Sequence, residues 1–190
     1  MDEFDALSNL EDPEEVSVDG AVWIMGQIMS TVGQFMTAMA ELGGQLPESR
    51  EMSCGIEADH FVRDETGISF SAPAKERRAL RVVLLDMRCM SLIFAMMNLM
   101  KSDPAMAAEV GASPEALESL GALMNGSVAD PANAIDVGTI DQVLDTVNAE
   151  HLTDGDLDAW KRCLAHIRDE RTSDGGKEEL DHLLTHLSAL

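Results

Sequence analysis

Near the C-terminus, one glutamate and two histidines have types and spacing that could bind a metal ion. Glu178, His182 and His186 recur every four residues, so a helix would place all three on one face, as in helical zinc sites. Zinc would need a further ligand, for which Cys163 and His166 are the obvious suppliers. A solvated polar face explains the same residues without a metal. We therefore predict no cofactor and keep the metal-binding module as an alternative.

A second group of candidates is the acidic run formed by Asp154, Asp156 and Asp158, which has the alternating spacing of a calcium loop. Such a loop requires glycine at its sixth position and glutamate at its twelfth, whereas Gly155 is second here. The dipole of a helix also favours acids at its N-terminus. The run therefore indicates the start of a helix rather than a calcium site.

A basic stripe formed by Arg77, Arg78, Arg81 and Arg88 could bind a phosphate or a carboxylate, because guanidinium groups hold both through paired hydrogen bonds. The favoured alternative is that these arginines pair with acids of the same chain. We keep Arg77, Arg81 and Arg88 as candidate interaction residues.

The cysteines and histidines show no pairing of nucleophile and base that is typical of an enzyme. Cys54, Cys89 and Cys163 are widely spaced and form no C-x-x-C motif, so they indicate neither a disulfide framework nor a redox site. Free thiols suit the reducing cytoplasm. The N-terminus lacks the basic and apolar segments of a secretory signal. We predict a cytoplasmic protein that is not an enzyme.

The net charge of -22, from 35 acids and 13 bases, limits the partners that this chain can have. Such a surface repels nucleic acid and anionic membranes, so we predict no direct contact with either. Three explanations remain open: solubility in a crowded or salty cytoplasm, an acidic face for a basic protein partner, and mimicry of nucleic acid. The acids are dense in residues 1–19, which we predict to be a flexible arm, with a single helical domain over residues 20–190.

The first predicted helix covers residues 20–42 and has a narrow apolar seam at alternating steps of three and four. Gly26 and Gly33 lower the helix propensity and would permit a neighbouring helix to approach closely. Because the seam is narrow, we predict that it contacts a partner or a second copy of the chain in a homodimer. The seam consists of Val22, Met25, Met29, Val32, Met36 and Met39.

Residues 54–71 predict a β-hairpin, with strands at residues 60–63 and 68–71 and a turn that ends at Gly67. A lone hairpin is marginal in water, so it must pack on the helices, pair with another strand or pair with a partner.

The second predicted helix covers residues 72–101 and is apolar on most sides, which indicates a central position. Arg81, Asp86 and Arg88 would be costly inside a bilayer, so we interpret the helix as the core of a soluble bundle. Shorter helices are predicted from Pro104 and Pro114 onward. Three more are predicted over residues 139–151, 153–171 and 177–190, and Thr153 and Asp156 have the spacing of a capping box.

Together these patterns predict a mainly α fold, a helical bundle around a central Met- and Leu-rich helix with a β-hairpin insertion. The function that follows is a non-enzymatic protein–protein interaction protein: an adaptor, a regulator or an assembly factor whose partner has a basic surface. The alternatives are a phage-type inhibitor or nucleic-acid mimic that blocks a basic nucleic-acid-binding protein, and the metal-binding module described above.

Overall fold

The computed structural model describes residues 13–43, 55–65, 67–102, 135–171 and 174–190, and it confirms the predicted fold class: mostly helical with a small antiparallel sheet. The predicted helices at Pro104 and Pro114 lie outside the described residues. The elements in chain order are α1 (Pro13–Glu41), a 3₁₀ turn (Ala58–His60), β1 (Phe61–Asp64), β2 (Gly67–Phe70), α2 (Ala74–Ser102), α3 (Val137–Thr146), β3 (His151–Leu152), α4 (Asp154–Arg171) and α5 (Asp174–Ala189).

The chain divides into two compact units. Of the described residues, one unit holds 13–32 and 89–102, and the other holds 33–43, 55–65, 67–88, 135–171 and 174–190. The second unit contains the sheet and the three C-terminal helices. The expectation of a single domain over residues 20–190 stays a prediction.

Helix α1 begins at Pro13 rather than at the predicted Gly20. Proline is well tolerated in the first turn of a helix, because the N–H group that it lacks would have no partner there. The predicted arm is therefore helical from residue 13, and residues 1–12 lie outside the described part of the chain.

Helix α2 is buried on most of its sides, as predicted for a central helix. Buried residues run almost without interruption from Val82 to Phe94. Within the described residues, α2 is also the one helix that could cross a membrane by length and composition, because an 18-residue window of Ala74–Met100 has a mean hydropathy of 1.7. However, 72% of that window is buried inside the protein, and the core helix of a globular fold passes the same test. The expectation of no membrane contact stays a prediction.

The predicted hairpin is confirmed, and a third strand completes the sheet in the order β1-β2-β3. Asp64 pairs with Gly67 across the turn, where Gly67 has a positive φ of 131°. On the other side of β2, Ile68 pairs with Leu152 and Ser69 with His151. The helix predicted over residues 139–151 was therefore wrong at its end. Residues 151–152 are extended because they satisfy the edge of β2, which would otherwise be unpaired.

Three aromatic rings form the centre of the core in the second unit. Phe61 and Phe70 lie opposite each other on β1 and β2, with ring centroids 4.7 Å apart. Trp160 of α4 meets both rings edge-on, at 5.4 Å from Phe61 and 4.8 Å from Phe70. Its indole Nε1 donates a 3.0 Å hydrogen bond to the Thr146 hydroxyl. The rings thus attach the hairpin to α4, which is the packing that a lone hairpin requires.

A capping box begins α4, as the spacing of Thr153 and Asp156 predicts. The Asp156 backbone N–H donates to the Thr153 hydroxyl at 3.2 Å, and the Thr153 backbone N–H donates to the Asp156 carboxylate at 2.9 Å. The Gln142 side chain of α3 donates to the same carboxylate at 2.9 Å. The hydrogen bonds from Gln142 and Thr153 lower the pKa of Asp156 below its ordinary value of 3.8.

We expect Asp156→Ala to lower the free energy of unfolding by about 1 kcal/mol at neutral pH, because it removes the carboxylate half of the capping box and the link to Gln142. The folded-state pKa of Asp156 is depressed, so its contribution is present above the unfolded value of 3.8 and is lost as the pH falls through the folded value. Urea unfolding at several pH values measures both effects. An equal loss of stability at neutral pH and at pH values where the carboxyl is protonated in both states would contradict this account.

Candidate functional site

The outer side of α1 carries large apolar side chains that the fold leaves in solvent. Val22, Met29 and Met36 are 61%, 65% and 63% exposed. They are seven residues apart, close to two helical turns, so they form one row. Small exposed residues follow each of them in the same row. The six residues of this surface, called the α1 face below, are Val22, Gly26, Met29, Gly33, Met36 and Ala40.

The opposite side of α1 supplies the burial that holds the helix in place. Ala21, Ile24, Ile28 and Ala38 are all buried. The buried Thr31 hydroxyl donates to the Gln27 carbonyl at 2.7 Å, so its burial leaves no unpaired donor. Since this side already provides an apolar core stripe, the α1 face is a second apolar surface on the same helix.

The α1 face also lies on a stretch of helix without charge. No acidic, basic or histidine residue occurs from Gly20 to Ala40, although the chain has a net charge of -22. The exposed residues beside the face are polar but neutral, such as Ser30, Gln34 and Thr37. A contact on this face therefore does not have to desolvate a charge, which is the most costly group to bury.

The predicted seam of α1 is divided by the structure. Its members Val22, Met29 and Met36 are exposed, whereas Met25 and Val32 are half-buried. Met39 is half-buried as well and packs against the buried cluster of Ala38, Val82 and Leu85. The reason is geometric: a straight helix has 3.6 residues per turn, so residues three apart lie about 60° apart around its axis, and the two alternating sets of the seam point in different directions. Sequence reasoning missed that Gly26, Gly33 and Ala40 share the exposed row.

Gly26 and Gly33 have no packing role within the described part of the molecule. A Cβ atom added at either position would meet nothing within 4 Å. Glycine in the interior of a helix costs about 1 kcal/mol relative to alanine. The folded chain therefore bears a cost at both positions without a visible gain in packing.

We expect Gly26→Ala and Gly33→Ala each to raise the free energy of unfolding in dilute solution by about 0.5–1 kcal/mol, because alanine is the better helix former. Gly55→Ala is the matched control and should be destabilising. Gly55 has a positive φ of 78°, and a Cβ there would lie 2.8 Å from the Glu76 Cγ atom. Chemical denaturation of the three variants and the parent chain measures these differences in the free energy of unfolding. Destabilisation by all three would show that the two helical glycines serve the fold after all.

Arg77 uses its guanidinium inside the protein. It donates hydrogen bonds to the backbone carbonyls of Ala72 at 2.7 Å, Ala149 at 3.0 Å and Phe70 at 2.9 Å, and it lies over the Phe70 ring at 4.6 Å. It thereby joins the end of β2, the start of α2 and the loop before β3. Because the Arg77 guanidinium makes these contacts, few of its N–H donors are left to bind a ligand.

The other arginines of the predicted stripe differ in their surroundings. Arg88 pairs with Asp141 of α3 through Nε at 2.6 Å and Nη2 at 3.2 Å, and its side chain is 12% exposed. Arg78 donates to the Ala74 carbonyl of its own helix at 3.2 Å. Arg81 is half-buried and forms no ion pair with the residues that the structure describes. Three of the four arginines of the stripe thus bind other groups of the same chain. A role of Arg81 in binding stays a prediction.

Among the residues that the structure describes, the C-terminal histidines do not converge with further ligands. Glu178 and His182 are exposed, whereas the His186 Nε2 donates to the Phe61 carbonyl of β1 at 3.0 Å. In the described residues, no three His, Cys, Asp or Glu side chains form a group that could hold a metal ion. His186 therefore satisfies a carbonyl at the edge of the sheet.

The candidate supplier Cys163 is buried under α4, and its sulfur lies 3.9 Å from the Thr139 carbonyl. Burial raises the pKa of this thiol to about 12. The thiolate is the form that attacks carbon centres or binds metal, so Cys163 is poorly suited to either role at neutral pH.

The acidic run before α4 is occupied by protein contacts. Asp154 forms an ion pair with Arg63 of β1, Asp156 caps α4, and Asp158 pairs with Lys161 at 2.6 Å. The interpretation of this run as a helix start is confirmed, because α4 begins at Asp154.

We expect His186→Ala to lower the free energy of unfolding by about 1 kcal/mol, because the Phe61 carbonyl loses its donor. His182→Ala, one turn away and exposed, should have little effect. Thermal unfolding of both variants and the parent chain, with and without added Zn²⁺, provides the measurement. A zinc-induced rise in the melting temperature that either substitution abolishes would restore the metal-site hypothesis.

No protein-family model matches this chain, and no significant match was found among curated proteins or solved structures.

Proposed function

We propose that this chain is a non-enzymatic protein–protein interaction protein that binds its partner through the α1 face. The observation that carries the proposal is the exposure of Val22, Met29 and Met36 in one row along a helix. Rows of large apolar side chains in solvent are typical of helix-mediated recognition, in which every second turn of a helix provides an anchor.

Burial of this face would contribute a substantial part of the free energy of binding. Full burial of a methionine or valine side chain contributes about 1.5–3 kcal/mol. Three such anchors offset a substantial part of the entropy lost on association, because none of them carries a charge to desolvate. Val62 on β1 is also 49% exposed, but an apolar residue exposed singly needs no functional explanation.

The chemistry of methionine also fits an adaptable contact. Its side chain is unbranched and polarisable, so it follows the shape of an apolar partner at low cost. An adaptor, a regulator or an assembly factor would use such a face. None of the six residues of the α1 face carries an acid, a base or a nucleophile typical of an enzyme, so the face suits binding rather than catalysis.

The acidic surface lies elsewhere in the molecule and adds selectivity. Exposed acids occur at the hairpin turn, at Asp64 and Glu65, and along α5, at Glu178, Glu179 and Asp181. They repel acidic macromolecules and attract basic ones over a distance set by the ionic strength. Two predictions rest on these acids: that the partner has a basic surface, and that the chain mimics nucleic acid.

The experiment is photo-cross-linking in the cells that produce the chain. A photoreactive phenylalanine analogue replaces Met29 in one variant and Gln34 in a control. Gln34 is also exposed on α1 but lies on its polar side. We expect a discrete protein adduct from position 29 and little or none from position 34, because the contact is confined to the α1 face.

Two outcomes would overturn the proposal. One is the absence of any protein adduct at position 29 when the variant is folded and expressed at the parent level. The other is an equal set of adducts from positions 29 and 34, since that pattern reports random collisions.

A further inference from the structure

We propose that the occupant of the α1 face is the α1 face of a second copy, antiparallel to the first and related to it by a twofold axis at the height of residue 31. This inference rests on the proposed function and names the partner. A closed twofold interface requires that each contact between residues i and j occurs twice. The α1 face meets that requirement by its sequence alone.

The antiparallel register places every large residue of the face against a small one. About residue 31, Met29 lies opposite Gly33 of the second copy, Met36 opposite its Gly26, and Val22 opposite its Ala40. A parallel register would instead place methionine on methionine and glycine on glycine, which crowds some layers and empties others. Interdigitation of large and small residues is the arrangement that fills space at native density.

The second copy also accounts for the two glycines that the fold does not use. Open space of at least 4 Å lies where the Cβ atoms of Gly26 and Gly33 would be. Small residues at a helix–helix contact let the two backbones approach closely, so that the opposing methionines can cover the peptide groups. The cost of glycine within each copy is then offset by contacts between the copies.

Charge favours this occupant over a basic partner on this face. Two copies of a chain with a net charge of -22 repel each other, so they can approach only where acids are absent. The segment from Gly20 to Ala40 is such a place, and Asp19 and Glu41 bound it. In the antiparallel register Glu41 lies beside residue 21 of the second copy, about 3 Å along the axis from its Asp19. Repulsion therefore remains at both ends of the contact.

The small size of the contact favours a weak, reversible dimer. The face from Val22 to Ala40 is about 27 Å long, and a helix is about 10 Å wide. Such a strip buries less than the roughly 800 Å² per partner of a standard interface, so the dimer should be reversible, with a Kd in the micromolar range.

Sedimentation of the full chain from about 1 µM to about 500 µM tests the dimer. We expect a monomer–dimer equilibrium that tightens severalfold when salt is added, because salt screens the repulsion between Asp19 and Glu41. Association with a basic partner would weaken with salt. A chain that stays monomeric throughout, or a dimer that salt dissociates, overturns the inference.

Two matched variants locate the contact. Gly33→Leu should weaken dimerisation at least tenfold, because leucine fills the space that Met29 of the second copy would occupy. Gln34→Leu adds the same side chain on the polar side of the helix and should leave the Kd unchanged. The melting temperature of Gly33→Leu in dilute solution should equal or exceed that of the parent, since leucine is a better helix former. Dimerisation of Gly33→Leu with the parent Kd would overturn the inference.

Orientation is tested by mixing a Met29→Cys chain with a Gly33→Cys chain under mild oxidation. The antiparallel register predicts that the mixed 29–33 disulfide predominates, because those positions lie opposite each other. Predominance of the 29–29 disulfide would overturn the antiparallel register. If the chain is monomeric but position 29 cross-links to a different protein in cells, the second copy is excluded while the proposed function stands.

Discussion

Burial of the apolar sides of α2 is the constraint on which the rest of the second unit depends. One side of this helix, with Leu80, Leu84 and Met87, belongs to the same buried cluster as the sheet, α3, α4 and α5. Another side, with Val82 and Leu85, packs against the C-terminal part of α1. Each large side chain removed from water contributes about 1.5–3 kcal/mol, so a helix that is apolar on several sides must be covered on several sides. The hairpin and the short helices exist as stable elements because they provide that cover.

Polar side chains then fix how the covering elements meet. Arg77 binds three backbone carbonyls at the junction of β2, α2 and the loop before β3, and Arg88 pairs with Asp141 to join α2 to α3. Buried carbonyls need donors, and a guanidinium can supply several in one plane. Two arginines of this acidic chain thus hold its elements together, Arg77 through backbone carbonyls and Arg88 through a carboxylate.

The sequence predicted the features that depend on neighbours along the chain. Periodicity revealed the helices, Gly67 marked the turn, and Thr153 with Asp156 marked the start of α4. The strand at His151–Leu152 could not be predicted, because two residues carry no periodicity and their conformation depends on the distant edge of β2. The contact of Arg77 with Ala149 is equally non-local. For the α1 face, the heptad spacing was visible, but the sequence could not tell which of the two alternating sets, about 40–60° apart around the axis, stays in solvent, because that depends on what packs against the helix.

The buried thiol of Cys163 gives this protein an internal reporter of its own opening. Only 1% of the surface of Cys163 is exposed. The pKa of its thiol, about 12, leaves almost no thiolate at neutral pH. An alkylating reagent can reach it at an appreciable rate only after α4 separates from the core, when the thiol regains its ordinary acidity. The rate of modification at this one cysteine therefore follows the equilibrium between closed and open states of the C-terminal helices, without any label added to the chain.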